Sequence, residues 1–225
     1  MQQKNKTPFF EGINDGIPIC LGYFFTALAF GILCRQDGLN FVESVLFSAT
    51  NLAGAGQFLA LNFMNATAFV SQVALAVFLI NLRYFFMSAA ISTRLDTKGL
   101  KRGLVAFGTT DEIFSVSMLR SSPPDFPYME GLEIISFLGW TFGTAVGFII
   151  GKFLPYALQI AAGITLYSMF VSLITQEVKR DIKKLIPVLT GASLNCLLYF
   201  VFHLDYSWSF IISMFAGTIT GALTL

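Results

Sequence analysis

An all-α, polytopic bundle of membrane helices is the fold class this sequence predicts, and three observations carry it. Of its 225 residues, 55% are hydrophobic and only 12% charged, against about 25% charged in an ordinary soluble domain. The mean hydropathy is +0.71. The apolar residues gather into eight runs, most of them near the length of a bilayer crossing. No run alternates as a membrane barrel strand does, so helices are the structure left that satisfies the backbone in hydrocarbon. Residues 1–225 read as a single integral membrane domain with no room for a separate soluble one. A net charge of +1 gives no electrostatic case for nucleic acid.

The first run, residues 16–34, follows Asp15-Gly16-Ile17-Pro18. Asp15 is placed to cap a helix, and Pro18 to sit in its first turn. The polar stretch ahead of it, with no A-x-A site after a short apolar core, predicts no cleavable signal peptide. The second run, residues 44–64, contains Asn51-Leu52-Ala53-Gly54-Ala55-Gly56-Gln57. Glycines weaken a helix there. Unwound backbone at membrane depth persists only where it is buried in protein or lines a wet cavity, and transporters use such breaks to hold ions and substrates. Small residues also permit close helix packing. Asn51 and Gln57 add polar groups to the glycines and favour a binding role.

The third run, residues 67–93, holds one charge, Arg83. At 1.5 Å per residue Arg83 lies about 5 Å from the midpoint, Ile80, against a core half-thickness of about 15 Å. Either the guanidinium faces the bundle interior, or the span ends at Arg83 and residues 84–92 lie along the interface. Asn81 falls on a different side of the helix. The fourth run, residues 103–119, is short and carries Thr109-Thr110-Asp111-Glu112. A charge at the bilayer centre costs about 2.5–3.5 kcal/mol, so two adjacent carboxylates need a cation, a proton or water. They also suit a helix start, with Thr110 or Asp111 as cap. The segment RSSPPDFPYMEG, with three prolines and three charges, reads as an aqueous loop.

In the fifth run, residues 132–154, Gly139, Gly143, Gly147 and Gly151 recur every fourth residue along one face. Such a stripe predicts tight helix association. Gly217 and Gly221 repeat it in the eighth run, residues 207–225, and either face could dock a second membrane subunit. The sixth and seventh runs are residues 156–175 and 185–203. His203, the only histidine, ends a span beside Asp205 and reads as interfacial. Cys20, Cys34 and Cys196 match no metal or disulfide spacing and read as buried small apolar residues.

Basic residues cluster at Arg94, Lys98, Lys101 and Arg102, and again at Lys179, Arg180, Lys183 and Lys184. Both clusters, with Lys4 and Lys6, should be cytoplasmic. Three runs separate each neighbouring pair of these basic sites, so one of each three cannot cross fully. The interrupted runs, 44–64 and 103–119, are the candidates. The prediction is about six full spans plus two broken or re-entrant helices.

One histidine excludes an H-E-x-x-H site, no G-x-S-x-G elbow is present, and no cofactor, metal or nucleotide motif appears. An enzyme is not expected. Two functions remain: a transporter with a charged, broken-helix site, and a non-transporting membrane subunit that stabilises or regulates another transporter.

Taken in order, DGIPICLGYFFTALAFGIL, NLAGAGQFLAL, LINLRYFFMSAAIS and TTDEIFSVS resemble the AzlC family of branched-chain amino acid permeases over roughly residues 12–120. Tyr84 departs from the pattern, since members often carry histidine after N-L-R. The resemblance implies a multi-pass inner or plasma membrane protein that exports valine, leucine and isoleucine, acting with a small hydrophobic AzlD-like membrane subunit of about four helices. On that reading Arg83, with the break at Gly54 and Gly56 and the flanking Asn51 and Gln57, holds the substrate carboxylate. Asp111 and Glu112 hold the ammonium or a coupling proton, and Phe58 and Phe85 receive the branched side chain.

Overall fold

The computed structural model describes residues 7–66, 68–155, 157, 164, 168, 171, 174–175 and 178–224. Among them the regular structure is all helical. The main elements are α1 (Pro8–Gln36), α2 (Phe41–Thr50), α3 (Gly54–Asn65), α4 (Val70–Arg94), α5 (Leu100–Gly108), α6 (Asp111–Leu119), α7 (Phe126–Ile150), α8 (Leu185–Cys196) and α9 (Tyr206–Thr224). Five described helices are long and apolar enough to cross a membrane: α1, α4, α7, the continuous stretch Ile182–Val201 that contains α8, and α9. The further crossing expected over residues 156–175 falls largely outside the described residues.

The chain forms two compact units, Met1–Phe58 with Leu79–Gly163, and Leu59–Phe78 with Ile164–Leu225. The spine of the first is α1 packed on α7. A methyl group added at Gly139 would lie 2.5 Å from the Cys20 carbonyl oxygen, and one at Gly143 2.5 Å from that of Phe24. At Gly147 it would strike the Leu28 carbonyl, and at Gly151 it would stand 3.4 Å from Ile32 Cα. Numbers rise together on both helices, so they run parallel. Gly12, Gly16 and Gly31 of α1 receive Tyr128, Leu132 and Thr144 of α7 in the same way. Without side chains between them the backbones gain dispersion contacts that lipid cannot match. The α7 stripe is therefore spent inside the chain, a correction to the expectation that it could dock a second subunit. Gly217 and Gly221 of α9 likewise pack on Pro187 and Gly191 of α8.

The start of α1 is also corrected. The helix begins at Pro8, with Thr7 before it, and Pro18 lies inside it. Tertiary contacts explain the extension. Arg120 pairs with Glu11 at 3.1 Å and Asp15 at 3.5 Å, and the Tyr128 hydroxyl donates to Asp15 at 2.9 Å. Asp15 is thus part of an ion-pair network and not a cap.

The interrupted runs both become hairpins of half-helices. Asn40 and Glu43 form a reciprocal cap that starts α2. That helix descends along α7: Phe41 meets Phe148 at 5.7 Å and Ser48 bonds Thr144 at 2.7 Å. Residues 51–53 are not helical. At its start α3 turns back beside α2, because Phe58 and Phe47 both pack on the Phe30 ring, at 5.2 and 5.6 Å.

The second hairpin enters from the opposite end of α7. The Lys101 ammonium lies 5.0 Å over the Phe126 ring, and Gly108 abuts Glu133. After the unwound Thr109 and Thr110, α6 returns to the starting level, where Arg94 donates to the carbonyls of Met118 and Arg120 at 2.8 and 3.0 Å. Arg94 at the end of α4 thus shares an end with Glu11 at the start of α1.

In the second unit, Phe63 contacts Tyr206 and Phe210 at 5.6 and 5.8 Å. A π-helical turn, Leu197–Val201, extends α8. His203 adopts φ 52° in the following turn, and the Asp205 carboxylate accepts from the Ser207 N–H at 3.0 Å. The three cysteines are free thiols, with Cys34 buried. Cys196 is exposed, correcting its reading as buried: α8 has no buried residue to shield it.

Candidate functional site

Arg83 lies one residue past the centre of α4, which continues unbroken to Arg94. The alternative of a span ending at Arg83 is thereby corrected. Its Nη1 pairs with Asp111 Oδ2 at 3.0 Å, and Nη2 donates to the Tyr84 hydroxyl at 3.2 Å. The guanidinium also stands 5.0 Å over the Tyr84 ring. Nε is shut off from solvent and has no hydrogen-bond partner among the described residues.

Asp111 opens α6. Thr110 caps that helix by accepting from the Ile113 N–H at 3.4 Å, so both carboxylates complement the positive end of the helix dipole, and Asp111 also faces Arg83. Glu112 takes a different partner, the Tyr23 hydroxyl at 2.5 Å, which also lies 2.6 Å from Thr110 Oγ1. The two adjacent acids are separated this way, one onto a cation and one onto a phenol. Side-chain exposures of 34% for Arg83 and 33% for Asp111 leave the pair open to an incoming charged group. In water a pair this open contributes about 0–1 kcal/mol. At membrane depth each unpaired charge costs about 2.5–3.5 kcal/mol, so a ligand that replaces one partner must bring its own charge.

The first break is organised differently. Gln57 is fully buried, and both ends of its amide are spent: Nε2 donates to the Phe47 carbonyl at 2.7 Å, and Oε1 accepts from the Trp140 indole at 2.9 Å. Gly54 admits the Trp140 ring, and Gly56 admits the Asn81 amide. Asn51 ends α2, and Phe58 is buried against Phe30. Phe85 is 68% exposed and stands outside this cluster. Tyr23 links the two breaks, since its ring packs on Trp140 at 5.5 Å while its hydroxyl holds the second break.

Sequence reasoning did not single out Tyr23, Trp140 or Glu133, and it set Asn81 aside. Glu133 carried a signal, a carboxylate two residues into an apolar run. Tyr23 and Trp140 carried none, because aromatic residues are ordinary in membrane helices. Asn81 Oδ1 is buried without a partner among the described residues, beside Gly56.

The family model of the AzlC protein matches residues 18–154, and the chain belongs to the AzlC family. It is 28% identical to the inner membrane protein YgaZ of Escherichia coli, over 96% of this chain and 89% of that protein. It is 35% identical to an uncharacterised membrane protein of Archaeoglobus fulgidus, over 68% and 67% of the two chains. With the branched-chain amino acid transport protein AzlC of Bacillus subtilis the identity is 24%, over 80% of this chain and 71% of that one. No solved structure matches. The chain is a membrane protein of a family with a named branched-chain amino acid transporter.

Proposed function

We propose that this AzlC-family protein exports valine, leucine and isoleucine across the cell membrane, as the large subunit beside a small AzlD-like membrane partner. The observation that carries this reading is the Arg83–Asp111 ion pair at 3.0 Å, set on an unwound hairpin tip. An amino acid carries both charges of that pair. Its carboxylate takes the Arg83 guanidinium, whose Nε has no partner among the described residues. Its ammonium takes Asp111, with Glu112 beside it. The unwound segment ahead of α6 sets Asp111 and Glu112 within an apolar run, the setting in which transporters hold charged substrates. With no nucleotide-binding motif in the sequence, an ion gradient supplies the energy.

The alternative of a non-transporting scaffold drew on the glycine stripe, and α1 already occupies that stripe. The test is counterflow of labelled valine in vesicles, with and without the partner subunit. Flux that requires Arg83 and Asp111 supports transport by this chain. Flux that persists in an inserted Arg83→Ala protein refutes the site.

A further inference from the structure

Glu133 is a buried acid that the proposed substrate site does not use. It lies seven residues into α7, about 10 Å along the axis at 1.5 Å per residue, and is 8% exposed. Its Oε1 is closed to solvent and has no hydrogen-bond partner among the described residues. The carboxylate packs directly on Gly108, where an added methyl would lie 2.5 Å from Oε2. Gly108 is the last residue of α5, so the carboxylate sits at the negative end of that helix.

A cavity of about 310 Å³ opens beside it, lined by Leu52, Leu104, Phe107, Ile134, Phe137 and, as its second acid, Glu130. A buried carboxylate with this surrounding does not stay charged unless a cation joins it. No ion pair among the described residues brings one to it. Glu130 is itself acidic, the Lys101 ammonium is seated on Phe126, and Arg102 Nε donates to Ser92. The Tyr23 hydroxyl is held by Thr110 and Glu112. A hard metal cation requires about six oxygen ligands, and two acids in an otherwise hydrocarbon wall do not provide them. A proton requires one lone pair.

We propose that Glu133 is the coupling-proton site of the transport cycle, an assignment that rests on the transport reading above. In the conformation described, the carboxylate carries one proton, which lets Gly108 pack against it. Release of that proton into the cavity leaves an anion against the α5 terminus. The repulsion moves the tip that bears Thr109, Thr110 and Asp111, and so bears on the Arg83–Asp111 pair. One proton binds and leaves, and no electron is transferred.

The test uses the full chain in lipid, read by infrared difference spectroscopy and by flux. Wild-type protein at neutral pH should show the carbonyl stretch of a protonated carboxylic acid. The band should be lost in Glu133→Gln, shifted in Glu133→Asp, and kept in Glu130→Gln and Arg83→Ala. Valine accumulation driven by a proton gradient, and the linked pH change, should be lost in Glu133→Gln. A band unchanged in Glu133→Gln, or proton-driven accumulation equal to wild type, overturns the proposal. So does accumulation driven by sodium alone that requires Glu133. A band that Glu133→Gln removes, in a wild-type protein that moves no valine, upholds the proton site and overturns the substrate reading alone. If Glu133→Gln does not insert, the band must still shift in Glu133→Asp.

Discussion

The two half-helix hairpins are built alike and loaded differently. Each enters from one end of α7 and unwinds beside it. At the first tip every hydrogen bond of the Gln57 amide goes to the protein's own Phe47 and Trp140, and the glycines admit the Trp140 and Asn81 side chains. At the second tip Asp111 meets a cation that keeps an N–H unpartnered among the described residues, and a buried acid lies behind Gly108. An unwound segment in a membrane has to satisfy its freed polar groups. The first tip does so internally, through the Gln57 amide. The second does so with charges, which other charges can replace.

Substitutions at the two tips should separate these roles. The largest effect belongs to Arg83→Ala, which strands Asp111 at a cost of about 2.5–3.5 kcal/mol and should reduce valine counterflow to background. The double variant Arg83→Leu/Asp111→Leu removes both charges together. It should melt close to wild type in detergent and still carry no valine. Recovery of counterflow in that double variant would make the pair structural and erase the contrast.

Gln57→Leu strands the Phe47 carbonyl and the Trp140 N–H, each worth about 1–3 kcal/mol when left unsatisfied. The melting temperature should fall, and the KM for valine in the surviving protein should not change. A raised KM at unchanged stability would show that the first tip also touches substrate. Thr110→Ala removes a helix cap worth about 1 kcal/mol and leaves the Tyr23 hydroxyl with Glu112 as its remaining partner. Its effect on stability should be smaller than that of Gln57→Leu, while its effect on transport should be larger. Arg120→Ala opens the pairs to Glu11 and Asp15 at the rim, worth about 0–1 kcal/mol. It should shift melting least of the four single variants, and raised salt should narrow the difference further.

Much of this arrangement was legible in the residues, and the limits follow from physics. Interruption of the runs at 44–64 and 103–119 was readable because glycine, threonine and carboxylate are costly inside a hydrocarbon-spanning helix. The bounds of the breaks were less so. At the first, Gly54 and Gly56 lie inside α3 and the unwound residues are 51–53, because Gln57 and Trp140 set where helix resumes. Pro18 looked like a helix start, since local propensity could not anticipate that Arg120 would hold Glu11 and Asp15 a turn and more upstream. The glycine stripe announced a neighbour without naming it, because a surface of small residues accepts any helix backbone of suitable tilt.

The sequence by itself determined a multi-pass membrane protein, two broken helices and a small set of charges too costly to leave unpaired. Those follow from transfer free energies, which depend on residue type and run length alone. Tertiary structure alone decided that α1 fills the α7 stripe, that Arg83 takes Asp111 while Tyr23 takes Glu112, and that Glu133 is left buried without a partner among the described residues. Pairing is a matter of distance and direction between groups far apart in the chain. Composition sets the need for a partner, and only packing chooses which one arrives.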